Sequence, residues 1–172
     1  MQTFYFDTSS GMCLGSFGPG TTLPPLAEAA PMAPSDGRQI WNGQGWAWPV
    51  AVIRNDVLAL ISARYQAALA AGLGYGGKVL QIREQDQANL TAMGNEARWA
   101  KATGAVWPAD FAWRMADDSF LGLATADAMI ALGEAAKAEV YRLRQVKWGH
   151  VDAVRSLSDG SAIAAYDFET GW

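Results

Sequence analysis

Cysteine and histidine are almost missing from this chain: in 172 residues Cys13 and His150 each stand alone. One cysteine excludes an internal disulfide, and one cysteine with one histidine cannot fill the four-ligand shell of a structural zinc, so no metal site is expected. No basic residue stands near Cys13 to lower its pKa, so a reactive thiol is not expected either. Charge is sparse, at 17% of residues with a formal net of −4 and a sequence pI near 4.9. Nothing here attracts phosphate backbones or anionic lipid in general, and neither nucleic acid nor a membrane is expected as a partner. Long apolar runs are missing too. No window of about 20 residues lacks charge and turn formers, and Met1 to Phe17 contain no basic segment leading into an apolar stretch, so neither a membrane span nor a secretion signal is expected.

Motifs that announce a reaction are also lacking. Ala71-Gly72-Leu73-Gly74-Tyr75-Gly76-Gly77-Lys78 is reminiscent of a phosphate loop, but such a loop follows a strand, spaces its glycines by four residues and continues from Lys into Ser or Thr on a helix. Here a helical pattern precedes and Val79 follows, so the glycines read as a helix stop and a turn. Asp117-Asp118, and Asp7 with Thr8 and Ser9, lack the spacing and terminal Glu of a calcium loop and read as solvated turns. His150 has no nucleophile elbow or second histidine to work with, and the 17 acidic residues single out no pair for glycoside hydrolysis. No catalytic residue and no cofactor is expected.

What the chain does have is apolar bulk: 51% hydrophobic residues and eight tryptophans. That composition lies far from the disordered corner, and the length fits one ordinary domain or two very small ones. Tryptophan gives large contact area with few torsions, so the eight read as core, as interface, or as both.

The pattern along the chain indicates an α+β fold. Phe4-Tyr5-Phe6 and Met12 to Phe17 flank a turn-rich Asp7 to Gly11, a hairpin signature. Five prolines between Gly18 and Gly37 argue against helix or central strand there and suggest a strap. Asn42-Gly43 between Gln39-Ile40-Trp41 and Gly45-Trp46-Ala47-Trp48 marks a second hairpin. Residues 1–50 thus read as a β-rich, Trp-rich attachment module, and 51–172 as a separate α+β domain. In the latter, Val57, Leu58, Ile61, Tyr65, Ala68 and Leu69 keep helical spacing, with Asn55 or Asp56 as N-cap and Gly72 as the stop. Lys78 to Ile82 reads as a short strand and Gln85 to Thr103 as a helix ending at Gly104, despite the interior Gly94. Phe111 to Met115 and Ser119 to Leu123 form a third hairpin signal. Thr125 then caps a helix that either runs on to Leu157, about 50 Å, or breaks at Gly149 into two antiparallel pieces.

Leu60 to Ile82, Gln87-Ala88-Asn89-Leu90, Trp107-Pro108, Trp113 to Asp118 and the closing Thr170-Gly171-Trp172 together resemble a phage-associated family of unknown biochemical function found in tail-fibre gene neighbourhoods. The likeness runs from about Leu58 to Trp172. Phe4-Tyr5-Phe6-Asp7 with Gly11, Gly15 and Leu23-Pro24-Pro25 is similar, over a shorter stretch, to the start of tail-fibre assembly proteins. These resemblances imply a tail protein that binds a tail fibre and assists its assembly or attachment, in the virion tail or in the host cytoplasm during assembly. They also imply a tail-fibre or baseplate partner, and a homo-oligomer or several copies on a trimeric fibre. A permanent baseplate or fibre-connecting subunit and a glycan-binding module stay open, and a hydrolase acting on host-surface glycan would need a carboxylate pair that the sequence does not single out. Trp41, Trp46 and Trp48, beside exposed turns, and Phe4 and Phe6 are the expected partner-binding residues, because interface hot spots favour such side chains.

Overall fold

The computed structural model describes residues 2–172 and has an α+β fold. Contacts divide the chain into two compact units, Met1–Leu58 with Val154–Tyr166, and Ala59–Ala153 with Asp167–Trp172. Residues 1–50, expected as a module of their own, make up most of the first unit, which also draws in a segment from near the end of the chain.

The first unit is built on a small antiparallel sheet. Strand β1 (Phe4–Asp7) lies between β2 (Cys13–Ser16) and β3 (Ala27–Ala30). The β1–β2 turn is tied by the Asp7 carboxylate, whose Oδ1 accepts the backbone N–H of Ser9 and of Ser10, each at 2.9 Å. Gly11 closes it at φ 72°, where a Cβ would sit 2.5 Å from the Trp41 carbonyl oxygen. The strap expected between Gly18 and Gly37 therefore contains a strand. It is an edge strand, and Pro24, Pro25 and Pro31 bracket its four residues without interrupting them, which is where a sheet tolerates proline. A second hairpin pairs β4 (Ile40–Trp41) with β5 (Trp46–Ala47) across a turn in which Asn42 Oδ1 accepts the N–H of Gln44 and Gly45. A bridge between Met12 and Ile40 links this hairpin to the sheet.

Helix α1 (Val50–Ala71) starts five residues before the expected Asn55. Its real beginning is Pro49, whose carbonyl accepts the N–H of Val52 at 2.9 Å and Ile53 at 3.1 Å; proline's fixed φ and missing donor suit the first turn. Asn55 and Asp56 are exposed residues within the helix, not caps.

In the second unit, β6 (Leu73–Tyr75) and β7 (Lys78–Leu80) form a tight hairpin. Its central Gly76 and Gly77 lie at φ 58° and 76°, the doubly positive turn that matches strand twist and that glycine adopts without penalty. The glycine-rich stretch read as a turn thus includes the strand β6, and β7 stops two residues before the expected Ile82. Helix α2 (Glu84–Thr103) ends on Gly104 at φ 73°. Strands β8 (Ala112–Arg114) and β9 (Phe120–Gly122) form the third hairpin, joined to β7 by the Ala116 N–H donating to the Val79 carbonyl at 2.9 Å.

Helix α3 (Ala126–Ser156) is one piece of 31 residues, about 46 Å at 1.5 Å per residue. Thr125 caps it, its Oγ1 accepting the Ala128 N–H at 3.1 Å. Gly149 does not break it, since one interior glycine weakens a helix by about 1 kcal/mol relative to alanine and Val154 beyond it is fully buried. The core of this unit joins Tyr65 and Leu69 of α1, Leu80 of β7, Leu90 of α2, and Met129, Leu132 and Leu143 of α3. The short helix α4 (Gly160–Ala164), capped by Asp159 at the Ala162 N–H, belongs to the first unit and buries Ile163.

Candidate partner-binding surface

Three of the five expected contact residues meet. The Phe6 ring stacks on Trp41 with centroids 5.6 Å apart and planes at 27°, and Trp46 stands edge-on to both, 5.6 Å from Trp41 and 6.5 Å from Phe6. This follows from register: Phe6 is the buried position of the central strand, and Trp41 and Trp46 are directly opposed across the β4–β5 pair. Opposed aromatics on one face are the stabilising unit of so small a sheet. Trp46 also donates its indole N–H to the Met32 carbonyl at 2.7 Å. Phe6, Trp41 and Trp46 therefore turn toward one another as an aromatic cluster, in a unit that also buries Val57, Val154 and Ile163. Phe4 is half-buried on β1, paired with Ser16 and Ala30, and takes no part in these ring contacts. Trp48 is the one of the three expected indoles that is exposed, and it lies under the Arg38 guanidinium, 5.0 Å from the ring centroid.

Beside Trp48, the outward apolar surface of this unit includes residues that were not among the expected contacts. Met12, Leu26 and Met32 are 59%, 60% and 55% exposed. Met12 is held by its bridge to Ile40 and Met32 by its carbonyl at Trp46, so both flank the aromatic cluster. Leu26 has the least ordinary placement. The Ala27 N–H donates to the Pro24 carbonyl at 3.2 Å, with Pro25 and Leu26 between, and Leu26 lies at φ 65°. That is a turn with proline at its second position and a positive φ at its third, a place normally given to glycine or asparagine. A leucine there costs about 1–2 kcal/mol of backbone strain, and its side chain is turned mostly to solvent. The signal in the sequence was Pro24-Pro25 followed by a residue that is not glycine, which reveals a turn only when the strand after it is known.

Electrostatics around this surface are local. The Arg38 guanidinium beside Asp36 holds that carboxyl below its ordinary value, and Arg38 reaches Asp56 at 3.2 Å as well. The Ser9 hydroxyl, then the Ser10 N–H, lower the Asp7 carboxyl. Asp117 is lowered in the same way by the Ser119 hydroxyl and N–H. These carboxylates serve turns and an ion pair with Arg38. In the second unit, His150 places Nε2 3.0 Å from the Thr170 carbonyl oxygen and stacks on Trp172 at 5.5 Å, which fastens the end of the chain. Among the described residues, no group of three or more His, Cys, Asp or Glu is arranged to hold a metal ion, and no helix is long and apolar enough to cross a membrane.

A family model described as a domain of unknown function, DUF4376, matches residues 52–170. No curated protein and no solved structure matches the chain.

Proposed function

The chain belongs to the DUF4376 family, and we propose that it acts by protein contact: as a bacteriophage tail protein that binds a tail fibre and assists its assembly or attachment. The tail setting rests on the resemblance of Leu60 to Ile82, Trp113 to Asp118 and Thr170 to Trp172 to a family found beside tail-fibre genes. The mode of action rests on one structural observation, Leu26. Leu26 holds a strained backbone while most of its side chain faces solvent, its carbonyl accepting the Thr8 N–H at 2.9 Å, and such outliers gather where function requires them. Met12, Met32 and Trp48 add apolar area to the same unit. The aromatic cluster of Phe6, Trp41 and Trp46 acts as the support that holds this surface in place.

The test is coexpression of the full chain with the tail-fibre protein encoded beside it. The expected result is a complex of defined mass that withstands gel filtration and is lost when Leu26 and Trp48 are both replaced by polar residues. Separate elution of the two proteins overturns the reading. Mass spectrometry of purified particles then distinguishes a transient assembly factor from a permanent baseplate or fibre-connecting subunit, and binding to a glycan array without any fibre complex would favour a glycan-binding module.

A further inference from the structure

We infer that the groove between α2 and α3 is a docking site for an acidic, helix-forming segment of a partner protein. The inference rests on residues of the second unit alone and does not depend on the tail setting. The groove has a volume of about 680 Å³ and extends from Gln87 to Arg98 on one helix and from Gly133 to Arg144 on the other, about 16 Å along each at 1.5 Å per residue. That is three turns, enough for apolar anchors at helical spacing.

Its floor is apolar and narrow. Leu90, Ala136 and Val140 form it, with Gly94 and Gly133 between them. A Cβ added at Gly133 would meet only the Leu90 carbonyl oxygen at 3.8 Å, and at Gly94 only the end of Arg98 at 3.6 Å. The packing of α2 on α3 therefore does not require either glycine, although glycine is a poor helix former. The bare backbone at both positions leaves room for something from outside to approach closely.

The rim supplies the charge. Arg98, Lys137 and Arg144 line the groove against a single acid, Glu134, and Glu134 is ion-paired to Arg98. Lys137 and Arg144 are exposed and have no ion-pair partner among the described residues. On a chain of net charge −4 this is a local cationic edge, complementary to an acidic ligand. Lys137, Tyr141, Arg144 and Trp148 recur at helical spacing on α3, so a second copy meeting the groove through this face of α3 would bring like charges together. An acidic oligosaccharide is disfavoured by the floor, whose aliphatic side chains suit leucine-like anchors, with Tyr141 the one aromatic ring lining the groove.

The experiment titrates the full, isotope-labelled chain with a synthetic amphipathic peptide of about four turns, leucines on one face and glutamates on its flanks, and follows backbone amide shifts. The expected result is saturable shifts confined to residues 87–98 and 133–144. Affinity should fall about tenfold or more in the Lys137→Glu, Arg144→Glu double variant, whose remaining spectrum stays unchanged, and equally when the peptide's glutamates become lysines. Gly133→Leu, which fills the groove without a Cβ clash, should abolish binding. The inference is overturned by shifts elsewhere or none, by equal affinity for the lysine peptide or the double variant, by an acidic oligosaccharide shifting these residues where the peptide does not, or by self-association that Arg144→Glu removes.

Discussion

Replacing Leu26 by glycine separates a cost to folding from a gain in binding. Relief of the positive φ returns about 1–2 kcal/mol. Against it, glycine adds about 0.4–1 kcal/mol of unfolded-state entropy. The side chain, 60% exposed, forfeits some two fifths of the roughly 1.5–3 kcal/mol that full burial of a leucine would supply, or about 0.6–1.2 kcal/mol. The three contributions nearly cancel, so the stability of Leu26→Gly should stay within about 1 kcal/mol of the parent. In a chain of this length that moves Tm by no more than about 4 °C. A leucine truncated in a well-packed core at an ordinary φ would lose about 2–5 kcal/mol. In the proposed fibre complex the same substitution should weaken binding at least about tenfold, the scale of a hot-spot side chain. Urea denaturation of the isolated chain and titration of the fibre protein measure the two quantities. A large loss of stability would show that Leu26 is a packing residue, and unchanged affinity would remove it from the interface; either result refutes the reasoning.

Trp41→Ala should destabilise the first unit by about 2–3 kcal/mol, below the range for a fully buried aromatic because the ring is only partly buried, whereas Trp48→Ala, at the more exposed indole, should cost about 1–2 kcal/mol; tryptophan fluorescence during urea unfolding checks both. Gly149→Ala should raise stability by about 0.5–1 kcal/mol, since a Cβ there meets nothing within 4 Å and α3 is continuous through it. Asp7 and Asp117 titrate below their ordinary value of 3.8 in the folded chain, so the unfolded chain binds their protons first as pH falls. Their contribution is complete above that value and disappears as pH drops through the depressed folded values. The decline of Tm from about pH 4 downward should accordingly be shallower in Asp7→Asn.

Where a local rule and the tertiary context agreed, the sequence could be read directly. Thr125 before a helical apolar period gave a capped helix, and Asn42-Gly43 between aromatic strands gave a hairpin. The N-terminus of α1 escaped because Asn55 and Asp56 are the better side-chain caps, and they outweighed Pro49, whose ring suits a first turn. Strand β6 escaped because glycine has low strand propensity; Gly74 belongs to a strand only because Gly76 and Gly77 form the turn that returns Val79 beside it. Strand β3 escaped because its composition, Ala27-Glu28-Ala29-Ala30, favours helix, and β1 supplies the pairing that overrides it.

Which aromatic rings face outward was harder to read than the fold, for a reason visible in Trp41, Trp46 and Trp48. Side-chain chemistry identified all three as contact residues, and it applies equally to a ring that faces solvent and a ring that faces another ring. Cross-strand register separates them: Trp41 and Trp46 are directly opposed, so they meet each other and Phe6, while Trp48 lies beyond the end of β5 and under the Arg38 guanidinium. Leu26 makes the converse case. Leucine is the commonest of apolar residues and draws no notice in a sequence, and its interest arises from a backbone angle that only three-dimensional structure reveals. In the proposed contact surface, Leu26 is the clearest case in the first unit of an outward apolar residue whose backbone is held against its own preference.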